Sequence, residues 1–140
     1  MKIKFYKLID LYEALNVITK LSETPGAISS KVVIEVSRFI LKVEDDASVF
    51  YKTRQLLNRQ YGVEIANIQK DVKGEEHYIG SGTYFIHPEN REKYASELDE
   101  ILQKEIEVPD LNLTEEDLNS IKDLSIASRV MILRALQKPE

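Results

Sequence analysis

A helical pattern continues for about 35 residues without a proline or glycine, from Ala27 to Tyr61. Apolar residues recur there at steps of three and four, which places them on one face of a helix; they are Val32, Val36, Phe39, Ile40, Val43, Ala47, Phe50, Leu57 and Tyr61. Such a helix would extend roughly 50 Å, farther than a compact domain of this size needs. The sequence therefore predicts one long helix, with Gly62 as a left-handed cap at its end.

A shorter helix is predicted before the long one. Its apolar residues recur at the same steps and are Leu11, Ala14, Leu15, Ile18 and Leu21. Asp10 has the form of an N-cap, which predicts a helix over about 10–22, and turn-forming residues at 22–26 end it. The two helices are predicted to form an antiparallel hairpin over 1–62, in which the rest of the chain or another copy covers the far end of the longer helix. Residues 2–6 alternate, which indicates either a short strand or an irregular lead-in to the helix.

After residue 62 the apolar pattern changes to that of short strands. The segment 63–87 is predicted to form a β element of two or three strands, because its apolar residues lie among two turn signals, Asp71–Gly74 and Gly80–Gly82. The second signal is too short for a phosphate loop and lacks the lysine that such a loop needs. A hairpin turn is therefore predicted at Gly80–Gly82.

Shorter helices are predicted over 88–140. Pro88 suits the first turn of one helix, three acidic residues follow Thr114 at the start of another, and Ser125 is placed to cap the last. Alternating residues that end at a proline predict an edge strand at 105–109.

Together these patterns predict an α+β fold that is mainly helical. A long antiparallel helical hairpin would pack with a small β-hairpin or sheet and two to three shorter helices. With 43% hydrophobic and 31% charged side chains, the 140 residues have the composition of one globular domain, predicted over 1–140. No stretch approaches the ~20 apolar residues of a membrane span, and the first residues lack the apolar core of a signal peptide.

The composition also excludes several kinds of chemistry. There is no cysteine, which excludes disulfides, thiolate zinc sites, iron–sulfur clusters and a cysteine nucleophile. Two histidines are too few for a histidine-rich metal site, and a net charge of −5 disfavours nucleic acid as a partner. No cofactor, metal or membrane partner is predicted.

The charge is distributed unevenly along the chain. Residues 1–70 hold eleven basic and eight acidic side chains, whereas residues 71–140 hold eight basic and sixteen acidic ones. This polarity indicates head-to-tail contact between copies, contact between the two halves, or only an uneven scatter of solvated charge.

No group of residues has the pattern of a catalytic site. Glu97, Asp99 and Glu100 alternate with apolar residues at helical spacing, so a solvated helix face is the favoured interpretation. His77 and His87 flank the predicted hairpin and could approach one another across its turn, but metal binding would need further ligands and general base catalysis would need an oriented nucleophile. No catalytic residue is predicted, and the protein is predicted not to be an enzyme.

Five residues are predicted to contact a protein partner or a second copy: Arg54, Arg59, Tyr78, Tyr84 and Phe85. The two arginines lie on the long helix, whose basic residues are interrupted by acidic ones, which favours a solvated or partner-facing surface over a nucleic-acid site. Arg54 is predicted either to reach solvent from the core edge or to pair with an acid of the third helix. The aromatic residues pack in the core or, if the hairpin projects, form a contact patch.

Several segments occur in a characteristic order over most of residues 1–110: Leu11–Leu15, Pro25–Ala27, Arg54–Leu57, Tyr61–Gly62, Phe85–Tyr94, Glu97–Leu102 and Glu105–Val108. In this order they resemble a family of small uncharacterised proteins encoded by tailed phages and prophages. The resemblance implies no catalytic or cofactor-binding residues. It does imply a context, because a small phage protein without enzyme motifs is more often a virion component, an assembly factor or a host-factor inhibitor than a catalyst.

The expected function is that of a phage- or prophage-encoded, non-enzymatic structural or assembly protein that acts through protein–protein contact. Self-association or docking onto a larger virion component would place it in the cytoplasm of the bacterial host or in the phage particle. The alternative is a small inhibitory protein that blocks a host enzyme or defence factor through its acidic C-terminal half.

Overall fold

The computed structural model describes residues 1–136 and, within them, every side chain except that of Tyr78. Its elements are β1 Lys2–Lys4, α1 Phe5–Leu21, α2 Ser30–Tyr61, β2 Gly62–Lys70, β3 Glu76–Ile86, a 3-10 turn Pro88–Asn90, α3 Arg91–Leu102, β4 Glu105–Glu107, α4 Glu115–Asn119 and α5 Ile126–Leu136. The strands form two two-stranded sheets, β1 with β4 and β2 with β3. The predicted mainly helical α+β class is confirmed. None of the helices in residues 1–136 is long and apolar enough to cross a membrane.

The chain forms two compact units. Within the described residues, unit 1 comprises residues 1–48 and 102–136, and unit 2 comprises Val49–Ile101. Unit 2 is thus inserted into the sequence of unit 1, and α2 contributes residues to both. Compactness does not distinguish one domain from two, so the single domain over 1–140 stays a prediction.

Unit 1 has a hydrophobic core supplied by residues of α1, α2, α4 and α5. Its largest fully buried side chains are Leu8, Leu11, Leu15, Ile18, Val32, Val36, Phe39, Val43, Leu118, Ile121 and Ile132. α1 packs chiefly against α5. Most residues of the apolar stripes predicted for the first two helices are buried, as the spacing requires.

The β1–β4 pair determines where α1 begins. The edge strand predicted at 105–109 is present as Glu105–Glu107, and it pairs antiparallel with β1 so that Ile3 lies opposite Ile106. The Phe5 N–H then donates to the carbonyl of Lys104 at 2.8 Å, directly at the start of α1. The N-cap predicted at Asp10 is therefore wrong, because pairing with β4 sends the chain into its helix five residues earlier.

Two other predictions about element ends are also wrong. Gly62 is not a left-handed cap: positive φ occurs at Gly26, Gly74 and Gly82, whereas Gly62 begins β2 directly after α2. The Gly80–Gly82 segment is not a turn but lies within β3, where the strand register shifts. The chain reverses at 71–75 instead, where the N–H of Gly74 donates to the Asp71 carbonyl at 3.0 Å.

The helix starts predicted at Thr114 and Ser125 are confirmed. Thr114 and Asp117 form a capping box, in which the Asp117 N–H donates to Thr114 Oγ1 at 3.1 Å and the Thr114 N–H donates to the Asp117 carboxylate at 3.0 Å. Ser125 Oγ accepts from the Ser128 N–H at 3.1 Å. Both caps satisfy N–H groups that the first turn of a helix leaves without carbonyl partners.

Replacing Thr114 with alanine should lower the free energy of unfolding by about 1 kcal/mol, because the capping oxygen is lost. Urea denaturation followed by circular dichroism measures the change. Asn119→Ala in the same helix is a matched control, since Asn119 is exposed and makes no cap. An equal loss of stability in both variants would show that the capping box contributes nothing.

Candidate functional site

The hairpin formed by β2 and β3 presents two faces of different character. The strands pair antiparallel, with Val63 opposite Phe85 and Asn67 opposite Ile79. Successive side chains of a strand point to opposite faces, so the odd-numbered residues of both strands share one side. This side is named the apolar face after four of its residues: Val63, Ile65, Ile79 and Phe85.

The apolar face is open to solvent. Its four apolar side chains are 51%, 48%, 44% and 45% exposed in the order Val63, Ile65, Ile79 and Phe85. Arg91 lies at one end of the face, with its guanidinium carbon 5.7 Å from the centroid of the Phe85 ring. Single exposed apolar side chains are normal on a protein surface, whereas several on one face are typical of a contact site.

The opposite face of the hairpin carries a polar network. Arg59 Nε donates to the hydroxyl of Tyr84 at 3.4 Å, and that hydroxyl donates to the Glu64 carboxylate at 3.3 Å. Tyr84 also lines a shallow groove together with Arg54 and Asn58. The Arg54 guanidinium lies 5.6 Å and 5.3 Å from the centroids of two aromatic rings of α2, a cation–π arrangement.

The structure divides the predicted contact residues between the two faces. Arg54, Arg59 and Tyr84 come together on the polar side, whereas Phe85 lies on the apolar face. Tyr78 is part of β3, but its side chain lies outside the described part of the structure. The role of all five residues in contact with a partner stays a prediction.

Three residues of the apolar face were not among the predicted contact residues. Val63 and Ile65 alternate with polar or small residues, which predicts a strand. Because they are two positions apart, the same pattern places both on one side of that strand. Ile79 joins this side only through the register with β2, which depends on where the turn lies. The strand pattern was therefore visible in the sequence, but the complete face was not.

Asp71, Glu75 and His77 converge at the turn of the hairpin. The Asp71 carboxylate accepts from the N–H groups of Lys73 and Glu75, both at 2.9 Å, and its other oxygen lies 2.9 Å from His77 Nε2. Each of the three side chains offers one possible metal-binding atom, a carboxylate oxygen or a histidine nitrogen, and these three atoms lie within 4.8 Å of one another. All three side chains are nevertheless open to solvent, and the Asp71 contacts are those of the turn itself. We therefore interpret the cluster as one that stabilises the turn.

The two histidines do not approach one another across a turn, as the sequence spacing would have allowed. His77 lies opposite Gln69 near the turn, whereas the His87 N–H donates to the carbonyl of Tyr61 at the other end of the hairpin. Ten residues of extended strand span about 30 Å. The physical reason is the position of the turn, which lies before His77 and not between the two histidines.

Acid should weaken the turn of the hairpin. The hydrogen bond with His77 and then that from the Glu75 N–H lower the pKa of Asp71 from its ordinary value of 3.8. The stabilising contribution of the carboxylate is therefore complete above pH 3.8 and is lost as the pH falls through the lower pKa of the folded state. Amide chemical shifts of Lys73 and Glu75 should report this loss, and the Asp71→Asn variant should not show it. Identical titrations of both proteins would contradict the assignment.

A second cleft lies in unit 1 between α1 and α5. Its lining includes Lys7, Asp10 and Arg134. Burial raises the pKa of the Asp10 carboxyl, and the nearby charge of Glu13 raises it further. Asp10 is therefore a side chain within α1 that faces a cleft of mixed charge, rather than the cap of a helix.

Comparison with known proteins identifies no relative. No protein-family model, no curated protein sequence and no solved structure matches this chain. The resemblance to phage and prophage proteins therefore remains an expectation from the sequence. The hairpin must be interpreted from its own geometry.

Proposed function

We propose that this protein is a non-enzymatic structural or assembly component that works through protein–protein contact, and that the apolar face of the hairpin makes the contact. The observation that carries the proposal is the side-by-side exposure of Val63, Ile65, Ile79 and Phe85 on one face of a two-stranded sheet. The contact is self-association or docking onto a larger assembly. Its phage or prophage setting rests on the sequence resemblance.

The energetics of a small sheet support this proposal. A two-stranded hairpin alone in water is only marginally stable, and a further strand or a layer packed on one face stabilises such a sheet. Every residue of β2 after Gly62 is exposed. A partner that covers the apolar face would remove its aliphatic and aromatic surface from water, at roughly 25 cal/mol per Å². Association therefore stabilises the hairpin and the complex together.

Replacing Val63 with serine should weaken self-association, because the change removes apolar surface from the proposed contact face. Size-exclusion chromatography with light scattering measures the average mass at increasing protein concentration. For the unmodified protein this mass should exceed the 16.1 kDa of one chain, and for the variant it should fall towards that value. Val72→Ser makes the same chemical change at a fully exposed position between the strands, and should leave the mass unaltered.

A strict monomer at high concentration would contradict self-association. It would favour the alternative function, a protein that inhibits a host enzyme or defence factor through its acidic C-terminal half. Equal effects of Val63→Ser and Val72→Ser would show that association does not use the apolar face.

A further inference from the structure

The outer edge of β2 has backbone groups that point away from β3. The carbonyl of Tyr61 accepts from the His87 N–H, the carbonyl of Ile65 accepts from Ser81 Oγ, and the Asp71 N–H donates to the Glu75 carbonyl. Odd-numbered residues of this segment therefore direct their backbone groups towards β3. Because neighbouring residues of a strand direct these groups to opposite sides, the groups of four even-numbered residues point outwards: Glu64, Ala66, Ile68 and Lys70.

The two edges of the hairpin differ in regularity. β3 contains Gly80 and also Gly82, whose φ is +73°, at a shift of the strand register. Such irregularities bend a strand and make its edge a poor template for further pairing. β2 has no glycine or proline after its first residue. The straight, exposed edge of the hairpin is therefore that of β2.

We infer that two copies of the chain pair antiparallel along the β2 edge, so that Asn67 of one copy lies opposite Asn67 of the other and the two hairpins form one four-stranded sheet. This inference rests on the proposed function and names a second copy as the partner. In this register Glu64 lies opposite Lys70 of the second copy, and Ala66 lies opposite Ile68. Twofold symmetry repeats each pair.

Charge complementarity selects this register. A shift of two residues in either direction places Glu64 opposite Ile68 or opposite Val72, and both charge pairs are lost. The Glu64 carboxylate lies over β3, where it accepts from the Gly82 N–H at 3.1 Å and from the Tyr84 hydroxyl at 3.3 Å. Lys70 is exposed at the end of β2, and its flexible four-carbon side chain would extend from the second copy across the new strand pair towards Glu64.

The directions of the backbone groups agree with the same register. The pairs of Glu64 with Lys70 and of Ala66 with Ile68 join residues whose N–H and C=O groups point outwards, so the four symmetry-related pairs would exchange about eight hydrogen bonds. The two Asn67 residues then form a non-hydrogen-bonded pair, with Cα atoms about 4.5 Å apart. The apolar faces of both copies lie on the same side of the sheet, which doubles the surface available for docking.

A cysteine cross-link tests the register. The chain contains no cysteine, so the Asn67→Cys variant has a single thiol on β2 that would face its symmetry mate within the Cα distance that a disulfide allows. Under mild oxidation it should form a covalent dimer rapidly. Gln69→Cys is the matched control on the same face of the strand: its thiols would belong to residues about 14 Å apart and should form at most one tenth as much dimer in the same time.

A charge reversal tests the ion pairs independently. Lys70→Glu would place acidic residues opposite one another twice, and the dimer dissociation constant measured by sedimentation should rise roughly tenfold or more. Lys73→Glu makes the same change in the turn, outside the paired edge, and should leave the constant unaltered.

The outcomes separate this inference from the proposed function. Equal cross-linking of the Asn67→Cys and Gln69→Cys variants would overturn the edge pairing, even if Val63→Ser still reduces the mass. Rapid cross-linking of the Asn67→Cys variant alone would support the edge pairing, even if Val63→Ser has no effect and the apolar face is not a contact. If Lys73→Glu raises the dissociation constant as much as Lys70→Glu does, the effect comes from the net charge of the chain and not from a specific ion pair. That result would overturn the register.

Discussion

Replacing Phe39 with alanine is expected to lower the free energy of unfolding by about 3–5 kcal/mol. Phe39 is 2% exposed and lies among the core residues of unit 1. Alanine would lose the favourable transfer of the ring out of water and would leave a cavity that the surrounding helices fill only in part. A loss of this size is a large fraction of the stability of an ordinary domain.

Chemical denaturation followed by circular dichroism measures this effect. Leu41→Ala is the matched control, since Leu41 lies two positions further along α2 but is 73% exposed. We expect its stability to change by no more than about 0.5 kcal/mol. Similar losses in the two variants would show that the buried and exposed sides of α2 have been assigned incorrectly.

Replacing Gly62 with alanine is expected to destabilise the hairpin by about 1–3 kcal/mol. A Cβ atom at this position would lie 2.5 Å from the backbone oxygen of Phe85 and 3.1 Å from that of Asn58. Both contacts involve backbone atoms, so a change of side-chain rotamer cannot relieve them. The start of β2 must move away from β3 or from the end of α2.

Hydrogen exchange measured by mass spectrometry can detect this movement. We expect the β2 and β3 amides of the Gly62→Ala variant to exchange about 5- to 150-fold faster. Thr83→Ala changes an exposed residue of β3, away from the β2 edge, and should leave the exchange nearly unaltered. Unchanged exchange in Gly62→Ala would show that the junction of helix and strand tolerates a side chain.

The helices were predictable because the patterns that specify them are local. A helix was predicted from Ala27 to Tyr61, and α2 occupies Ser30–Tyr61. The capping box at Thr114 depends on a residue only three positions away. Apolar spacing and capping act within one or two turns, so a single sequence contains the necessary information.

The incorrect predictions concern positions where a distant segment decides the local conformation. Asp10 has the chemistry of an N-cap, but the start of α1 follows from pairing with β4. Gly80 and Gly82 have the composition of a turn, but the turn at 71–75 leaves them inside β3. Propensity cannot choose between two competing turn signals when strand register makes the choice.

The candidate site could be predicted only in part, for the same reason. Tyr84 and Phe85 were both identified as contact residues, but their placement on opposite faces depends on strand geometry. Similarly, Glu35 of α2 is buried, and its carboxylate accepts a hydrogen bond at 2.9 Å from the N–H of Asn112, which lies far along the chain. Partners of this kind are not visible in a local pattern.

Pairing of β1 with β4 has a consequence for how the protein is made. Lys2–Lys4 leaves the ribosome about 100 residues before Glu105–Glu107, at a synthesis rate of roughly 5–20 residues per second. β1 therefore remains unpaired for several seconds, during which all of unit 2 is synthesised before β4. Unit 2, Val49–Ile101, is continuous in sequence, so its folding does not require the residues that follow it. The hairpin can consequently form, and expose its edge, before the core of unit 1 is complete.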